Sequence, residues 1–316
     1  MSRYLDIVIV NWNTGDQLRQ LVSSIFSYHD ELVESVVIID NASSDSSLSD
    51  IVSEAEVLPF RLQIVCNDIN IGFGAACNQG AALCNSEFVL FLNPDTLLYA
   101  NSLAKPLELM QRPDSHHIGI AGIQLVDEEG EISPSCSRFP TVRMFLAQAL
   151  GLNRLPWFRN LSQMMSEWDH KGTRQVDQVM GAFFLVRRSL FEDLQGFDER
   201  FFVYFEEVDF ALRARILGKT SVYLAEARAF HSGGGASRKV KAQRLFYSLR
   251  SRLLYGFKHF SFWQAWGLVL ISLAIEPVTR TIFSAGSGCD SVINTWRGYG
   301  MLYCDLPHIL RRVKIL

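Results

Sequence analysis

Three carboxylates fall within four residues of one another in the run Phe201-Phe202-Val203-Tyr204-Phe205-Glu206-Glu207-Val208-Asp209-Phe210. Acids set among aromatics lose hydrating water, which raises their pKa and leaves a proton acceptor usable near neutral pH. Upstream, Asn93-Pro94-Asp95 closes an apolar run, and a carboxylate at such a strand end can hold a divalent cation that neutralises a diphosphate. His231 lies between Ala229-Phe230 and Ser232-Gly233-Gly234-Gly235, where a strand meets a turn, and suits a third metal ligand or a phosphate contact. Each group has a plainer reading. Asp95 can cap a helix, a single histidine is commonly structural, and Glu206, Glu207 and Asp209 complement a helix dipole that Arg213 and Arg215 would close. Dipole stabilisation does not, however, call for Phe201, Phe202, Tyr204 and Phe205 just before the acids. A base and a metal site in one chain point to an enzyme.

Positioning these groups falls to repeated strand–helix–strand units in the first 126 residues. Ile7–Val10, Val36–Ile39, Leu62–Val65, Phe88–Leu92 and Ile118–Ile123 are unbroken apolar runs, the pattern of strands buried on both faces. Asp16–Tyr28, Ser46–Glu54, Gly74–Cys84 and Asn101–Arg112 carry helical spacing or helix starts between them. The predicted fold is α/β, a mostly parallel sheet flanked by helices. Residues 127–177 interrupt the rhythm with turn formers, isolated aromatics and a helical piece at Met144–Leu150. Strand Val179–Val186, a helix from near Phe205 and strand Ser221–Ala225 resume it.

Ligands of open parallel sheets bind beyond the carboxyl ends of the strands. Polar groups collect there: Asn11 and Asn13 after the first strand, Asp40-Asn41 after the second, Asn67-Asp68 after the third and Asn93-Pro94-Asp95 after the fourth. One such cluster is ordinary capping, the role expected of Ser46 and Asn101. Four of them predict a shared crevice. Asn70-Ile71-Gly72-Phe73-Gly74 through Asn78 departs from GxGxxG and follows the third strand, so its glycines are read as a tight entry into a helix whose first turn approaches a ligand.

At 316 residues, 48% hydrophobic and 20% charged, the chain is globular in composition, and its net charge of -3 advertises no nucleic acid. Six cysteines form no CxxC pair. The first strand starts almost at once, so no signal peptide is expected, and a reducing, cytosolic setting is favoured. Arg238 to Lys258 holds seven Lys/Arg and no acid, and the apolar Phe260–Ile275 follows. That segment, about 16 residues, falls short of the roughly 20 that span a bilayer. A basic run beside an aromatic-rich helix is predicted to lie on a membrane surface. Its plainer reading is a solvated helix feeding a core helix.

At these residues the chain resembles the family 2 glycosyltransferases and their bacterial rhamnosyltransferase-like branch. The resemblance runs in order over roughly residues 5–235, through Ile9-Val10-Asn11-Trp12-Asn13, Asp40 to Asp45, Asn70 to Asn78, Leu92-Asn93-Pro94-Asp95, Gly181-Ala182-Phe183-Phe184, Gly196-Phe197-Asp198-Glu199, Glu206 to Asp209 and His231. It implies a GT-A fold over residues 1–235, with a nucleotide-binding half at 1–126 and an acceptor half at 127–235. Residues 236–316 would then form a helical, membrane-associating extension. By the same resemblance Asp40 binds the base, with Asn11, Asn13, Asn41, Asn70, Gly72, Phe73, Asn78 and Asn93 lining the nucleotide-sugar pocket. Asp95 and His231 hold Mg2+ or Mn2+, with Asn93 a neutral variant of the first acid of the metal motif. Glu207 is the implied base in a Glu-Asp motif that here reads Glu206-Glu207, so either glutamate can act, with Asp209 beside them. The implied donor is a nucleoside diphosphate sugar, dTDP-rhamnose by preference and a UDP-sugar otherwise. A lipid-linked or glycan acceptor at the cytoplasmic face of the inner membrane follows, as in O-antigen or cell-wall assembly. The chain lacks the QxxRW signature of processive synthases, which favours one sugar per encounter. A sugar-nucleotide pyrophosphorylase would need a Gly-rich, Arg-containing loop that Asn11 to Gly15 does not supply, and a Rossmann oxidoreductase its fingerprint. A non-catalytic nucleotide-sugar-binding protein is the alternative outside enzymes.

Overall fold

The computed structural model describes residues 4–29, 31–49, 51, 59–233, 240–286 and 288–313. Gly234 and Gly235, Arg238 and Lys239, the boundary expected between 235 and 236, and most of the later half of the helix expected at Ser46–Glu54 lie outside them. The chain divides into two units. The first comprises Met1–Arg138, Trp168–Glu199 and Glu206–Ala236, and the second Phe139–Glu167, Arg200–Phe205 and Ser237–Leu316.

The first unit is built on one twisted sheet. Strands β1 (Leu5–Asn11), β2 (Val33–Asp40), β3 (Arg61–Cys66) and β4 (Phe88–Leu92) pair in parallel in the order β3-β2-β1-β4. β1 and β4 are buried along their whole length, which is why they read as unbroken apolar runs. Helix α1 (Gln17–His29) turns Leu18, Leu21, Val22 and Ile25 inward at helical spacing. Helix α2 (Phe73–Ala81) lies close on the sheet, because a Cβ at Gly80 would come within 2.5 Å of Val8.

Beyond β4 the sheet becomes mixed. After β5 (Thr96–Leu98), helix α3 (Ala104–Gln111) and β6 (Ile118–Val126) come the short strands β7 (Ile132–Ser133) and β8 (Cys136–Ser137). Strands β9 (Arg174–Val176) and β10 (Gln178–Val179) precede β11 (Phe183–Arg187), which wedges antiparallel between β4 and β6. Helix α5 (Arg188–Asp193) follows β11; the preceding α4 (Val142–Ala149) belongs to the second unit. After helix α6 (Glu206–Ile216), β12 (Thr220–His231) pairs parallel with β6 and antiparallel with β5. That last pairing sets Thr96 opposite His231. The mostly parallel expectation holds for six of the eight strands on the main path, with β11 and β5 reversed.

The second unit is helical: α4 (Val142–Ala149), α7 (Lys241–His259), α8 (Phe262–Leu270), α9 (Glu276–Ala285) and α10 (Cys289–Val313). The apolar segment is longer than the sequence implies. A π-turn at Ile271–Ile275 joins α8 to α9, so Phe262–Ala285 is one helical run of 24 residues, long and apolar enough to cross a membrane. Glu276-Pro277 looks like a stop in the sequence. Proline is tolerated in the first turn of a helical segment, and Glu276 is buried between Arg252 and Arg280. The basic run is also partly internal. Arg250 binds Asp305 at 2.9 Å and the Arg200 carbonyl at 3.0 Å, and Arg252 is buried on Glu276, while Lys241 and Arg244 face solvent.

Candidate active site

The carboxyl ends of β1 and β2 carry a dense polar knot. Asn11, fully buried, donates from Nδ2 to Asp40 Oδ1 (2.7 Å) and Ser47 Oγ (2.8 Å), and Thr14 donates to its Oδ1. Asp40 Oδ2 accepts from the Ser43 amide at 3.1 Å, so both carboxylate oxygens are engaged. Asn13, at φ 54°, uses its Oδ1 to receive the Ser44 amide at 2.8 Å. Asp45 receives the Gly15 and Ser47 amides and the Ser47 hydroxyl. Burial opposes its ionisation, yet these hydrogen bonds together hold its pKa below the usual carboxylate value.

The second loop is tied to the first through Asn41. Its Nδ2 donates to Asn70 Oδ1 (2.8 Å) and its Oδ1 receives the Ile71 amide (3.0 Å). Gly72, at φ 92°, turns the chain into α2, which Phe73 opens. Positive φ of this kind favours glycine. Asn78 faces another way. Its amide donates to the Phe197 carbonyl and to Glu199 Oε1, and its Oδ1 receives the Phe197 N–H at 2.8 Å. The geometry therefore makes Asn78 the clasp of the Gly196-Phe197 turn.

The acids open α6. Glu206 is 4% exposed, Glu207 is partly exposed, and each has one buried carboxylate oxygen without a hydrogen-bond partner. Burial, and then the charge of Glu207, pushes the Glu206 pKa well above the ordinary value; burial raises that of Glu207. Cys77 lies near enough to feel both acids, and burial followed by their charges drives its thiol pKa far up. Glu207 also flanks Gly181, where a Cβ would stand 3.8–3.9 Å from its side-chain carbons. Ala182, the next residue, accepts the Asn93 N–H at 3.0 Å. A short path of backbone thus links the glutamate pair to the strand end bearing Asp95.

Two expectations change here. The rings before the acids pack within the helical unit: Phe202 stacks on Tyr247 at 4.5 Å, and Phe205 contacts Phe145 and Tyr255. Asp209 is 0% exposed and bonded at 2.7 Å to Arg213, whose guanidinium also donates to the Leu194 and Gly196 carbonyls. A carboxylate so enclosed positions the Gly196 turn rather than meeting a substrate.

Asp95 and His231 meet because β5 and β12 pair. His231 Nε2 lies 3.4 Å from Asp95 Oδ1, close but without hydrogen-bond geometry, and is a buried nitrogen with no partner. An orphaned imidazole nitrogen beside a carboxylate suits a divalent cation. Among the described residues no third His, Cys, Asp or Glu joins them. Ser232 donates its hydroxyl to Asp95 Oδ2 at 3.5 Å and accepts from Gln17 at 3.3 Å. Gln17, Ser47 and Cys77 were not evident from the sequence as site residues, and Gly181 stood out only as part of Gly181-Ala182-Phe183-Phe184. Only their tertiary neighbours distinguish them from ordinary helix and loop positions.

The sheet flanked by helices is a fold of GT-A type. Residues 6–195 match the model of Glycosyl transferase family 2, and the chain belongs to that family. It is 27% identical over 281 residues to the N-acetylglucosaminyl-diphospho-decaprenol L-rhamnosyltransferase of Mycobacterium tuberculosis, covering 84% of this chain and 88% of the relative. Rhamnosyltransferase WbbL of Escherichia coli is 26% identical over 174 residues, 54% of this chain and 62% of that one. Among solved structures, the fold is similar to a mannosyltransferase of Pyrobaculum calidifontis in complex with GDP-Man and Mn2+. Its TM-score is 0.58 and its identity 15%, over 98% of this chain and 88% of that one. S. aureus TarS 1-349 matches at TM-score 0.52 and 14% identity, over 96% and 91%.

Proposed function

We propose that this glycosyltransferase moves one sugar from a nucleoside diphosphate sugar to a hydroxyl of a lipid-linked or polysaccharide acceptor, with inversion at the anomeric carbon, in bacterial surface glycan assembly. Rhamnose from dTDP-rhamnose is the preferred donor, supported by relatives whose names specify rhamnosyl transfer. The observation that carries the reading is the glutamate pair, of which Glu207 flanks Gly181, one backbone hydrogen bond from the strand end that leads to Asp95.

Glu207 accepts the acceptor hydroxyl proton as that oxygen bonds to the anomeric carbon, and the bond to the diphosphate breaks in the same displacement. Burial raises the pKa of both glutamates, and the charge of Glu207 adds to the rise at Glu206; in the proposed mechanism Glu207 takes the ionised role and Glu206 the protonated one. Asp40, oriented by Asn11, receives the base, and the Asn41–Asn70 loop shapes the pocket around the diphosphate. Asp95 and His231 would hold Mg2+ or Mn2+, which when bound supplies Lewis-acid stabilisation of the leaving group. The helical unit docks on the cytoplasmic surface of the inner membrane, where the largely exposed Phe262, Trp263 and Leu270 would enter the interface.

A thermal-shift panel of nucleoside diphosphate sugars, each with and without Mn2+ or Mg2+, tests the reading. dTDP-rhamnose is expected to raise the midpoint most, and more with the ion. No shift with any nucleoside diphosphate sugar would refute it. A shift without transfer or donor hydrolysis would make the chain a binding protein.

A further inference from the structure

A cleft of about 430 Å³ opens in the helical unit beside the end of α4, the turn after it, α9 and the start of α10. Arg154 and Arg280 both line it, with Glu276 as the acid among its lining residues. Glu276 is shared: Arg280 Nε binds it at 2.7 Å, and Arg252 donates to its other oxygen. Burial would raise the Glu276 pKa, but the two arginines outweigh it and hold it below the usual value. Glu276 is therefore charged at neutral pH. Arg154 stands 4.6 Å over the Phe283 ring and has no acidic partner among the described residues. Two guanidinium charges less one carboxylate leave a net +1 on the cleft lining, with the buried Arg252 behind it also on Glu276. The side-chain amides of Gln148 and Asn153 also line it and bond no protein group among the described residues.

Unspent positive charge with idle hydrogen-bond donors is the chemistry that captures a phosphate, and a guanidinium grips one by a two-pronged contact. The rim is hydrocarbon. Phe283 is 48% exposed and Ile282 68%, and Leu150 and Leu155, which bracket the Arg154 turn, are each 43% exposed. Phe283 and Ile282 lie on the 24-residue apolar run Phe262–Ala285. A free anion has no use for such a rim, whereas an anion carrying acyl chains does. We infer that this cleft binds the phosphate of an anionic phospholipid, its chains lying along the exposed face of α8 and α9. The inference rests on the membrane docking proposed above and assigns it a specific headgroup site.

Flotation of the full chain with phosphatidylcholine vesicles, plain or doped with phosphatidylglycerol, tests it. The doped vesicles are expected to bind more tightly, and Arg154→Gln to weaken that binding about fivefold. Arg154→Lys, a point charge without the fork, should recover only part of the loss. Inorganic phosphate, with ionic strength matched by chloride, should compete against the wild type and not against Arg154→Gln. The Arg154 side chain is exposed and makes no hydrogen bond among the described residues, and matching thermal midpoints will establish that its variants fold. If the chain floats but Arg154→Gln behaves as wild type, the headgroup site is refuted while membrane docking stands. If the chain floats with neither vesicle, docking itself fails and takes the site with it. Preference for a polyprenyl diphosphate over phosphatidylglycerol at equal surface charge also overturns the assignment, giving the cleft to an acceptor lipid.

Discussion

Glu207→Gln separates the proposed base from its neighbour. The amide matches the carboxylate in size, so no cavity forms, and the buried oxygen it replaces has no hydrogen-bond partner to lose. Loss of proton acceptance should lower kcat about 10²–10⁴-fold, roughly 3–5 kcal/mol of transition-state stabilisation, with donor affinity kept. The proposed roles keep Glu206 protonated while Glu207 titrates, and the companion Glu206→Gln imitates that state. It should therefore retain the acid limb of the pH–rate profile, which in the wild type lies above the ordinary glutamate value of 4.5. Stability supplies an independent check with a definite sign. Both folded pKa values are raised, so the native state binds more protons than the unfolded chain and loses stability as pH climbs from 4.5 through the folded values. Glu206→Gln cannot ionise and should gain on the wild type over that window. Steady-state kinetics with radiolabelled donor, and urea melts at several pH values, measure the two effects. Near-normal kcat in Glu207→Gln with the limb lost in Glu206→Gln would reverse the roles.

Gly196→Ala should destabilise the first unit by about 2–4 kcal/mol in a urea melt. Its φ of 73° is costly for an L side chain, and the new Cβ would sit 2.5 Å from the Asn78 Oδ1 that holds the Phe197 amide. His231→Ala should abolish most of the thermal stabilisation that Mn2+ adds, since a buried imidazole nitrogen is removed from the proposed cation site. Glu276→Gln should cost about 3–5 kcal/mol by leaving Arg252 buried without its counter-charge. The lowered Glu276 pKa means that the stability it confers is present above the unfolded value and fades as pH falls below 4.5. Trp263→Glu should reduce vesicle flotation without shifting the melt, because Trp263 is 81% exposed. Deleting residues 260–316 is a poorer test, since it also strips Arg250 and Arg252 of Asp305 and Glu276.

The parallel half of the sheet was legible in the sequence because its strands are buried on both faces, and burial on both faces writes itself as unbroken apolar runs. The polar residues after those strands were legible for a related reason: loops at one end of a sheet must converge. The glutamates at the start of α6 stood out by composition alone. Strand direction and partner were not legible, since periodicity records which face is buried and not which neighbour pairs. The reversed β11 and the β5–β12 pairing that joins Asp95 to His231 belong to that class. Charge behaved the same way. Arg252 looks like a lipid-facing group until Glu276, 24 residues on, is placed against it. An ion pair is a relation between distant positions, so folding alone decided which charges remain for substrate and which are consumed in packing.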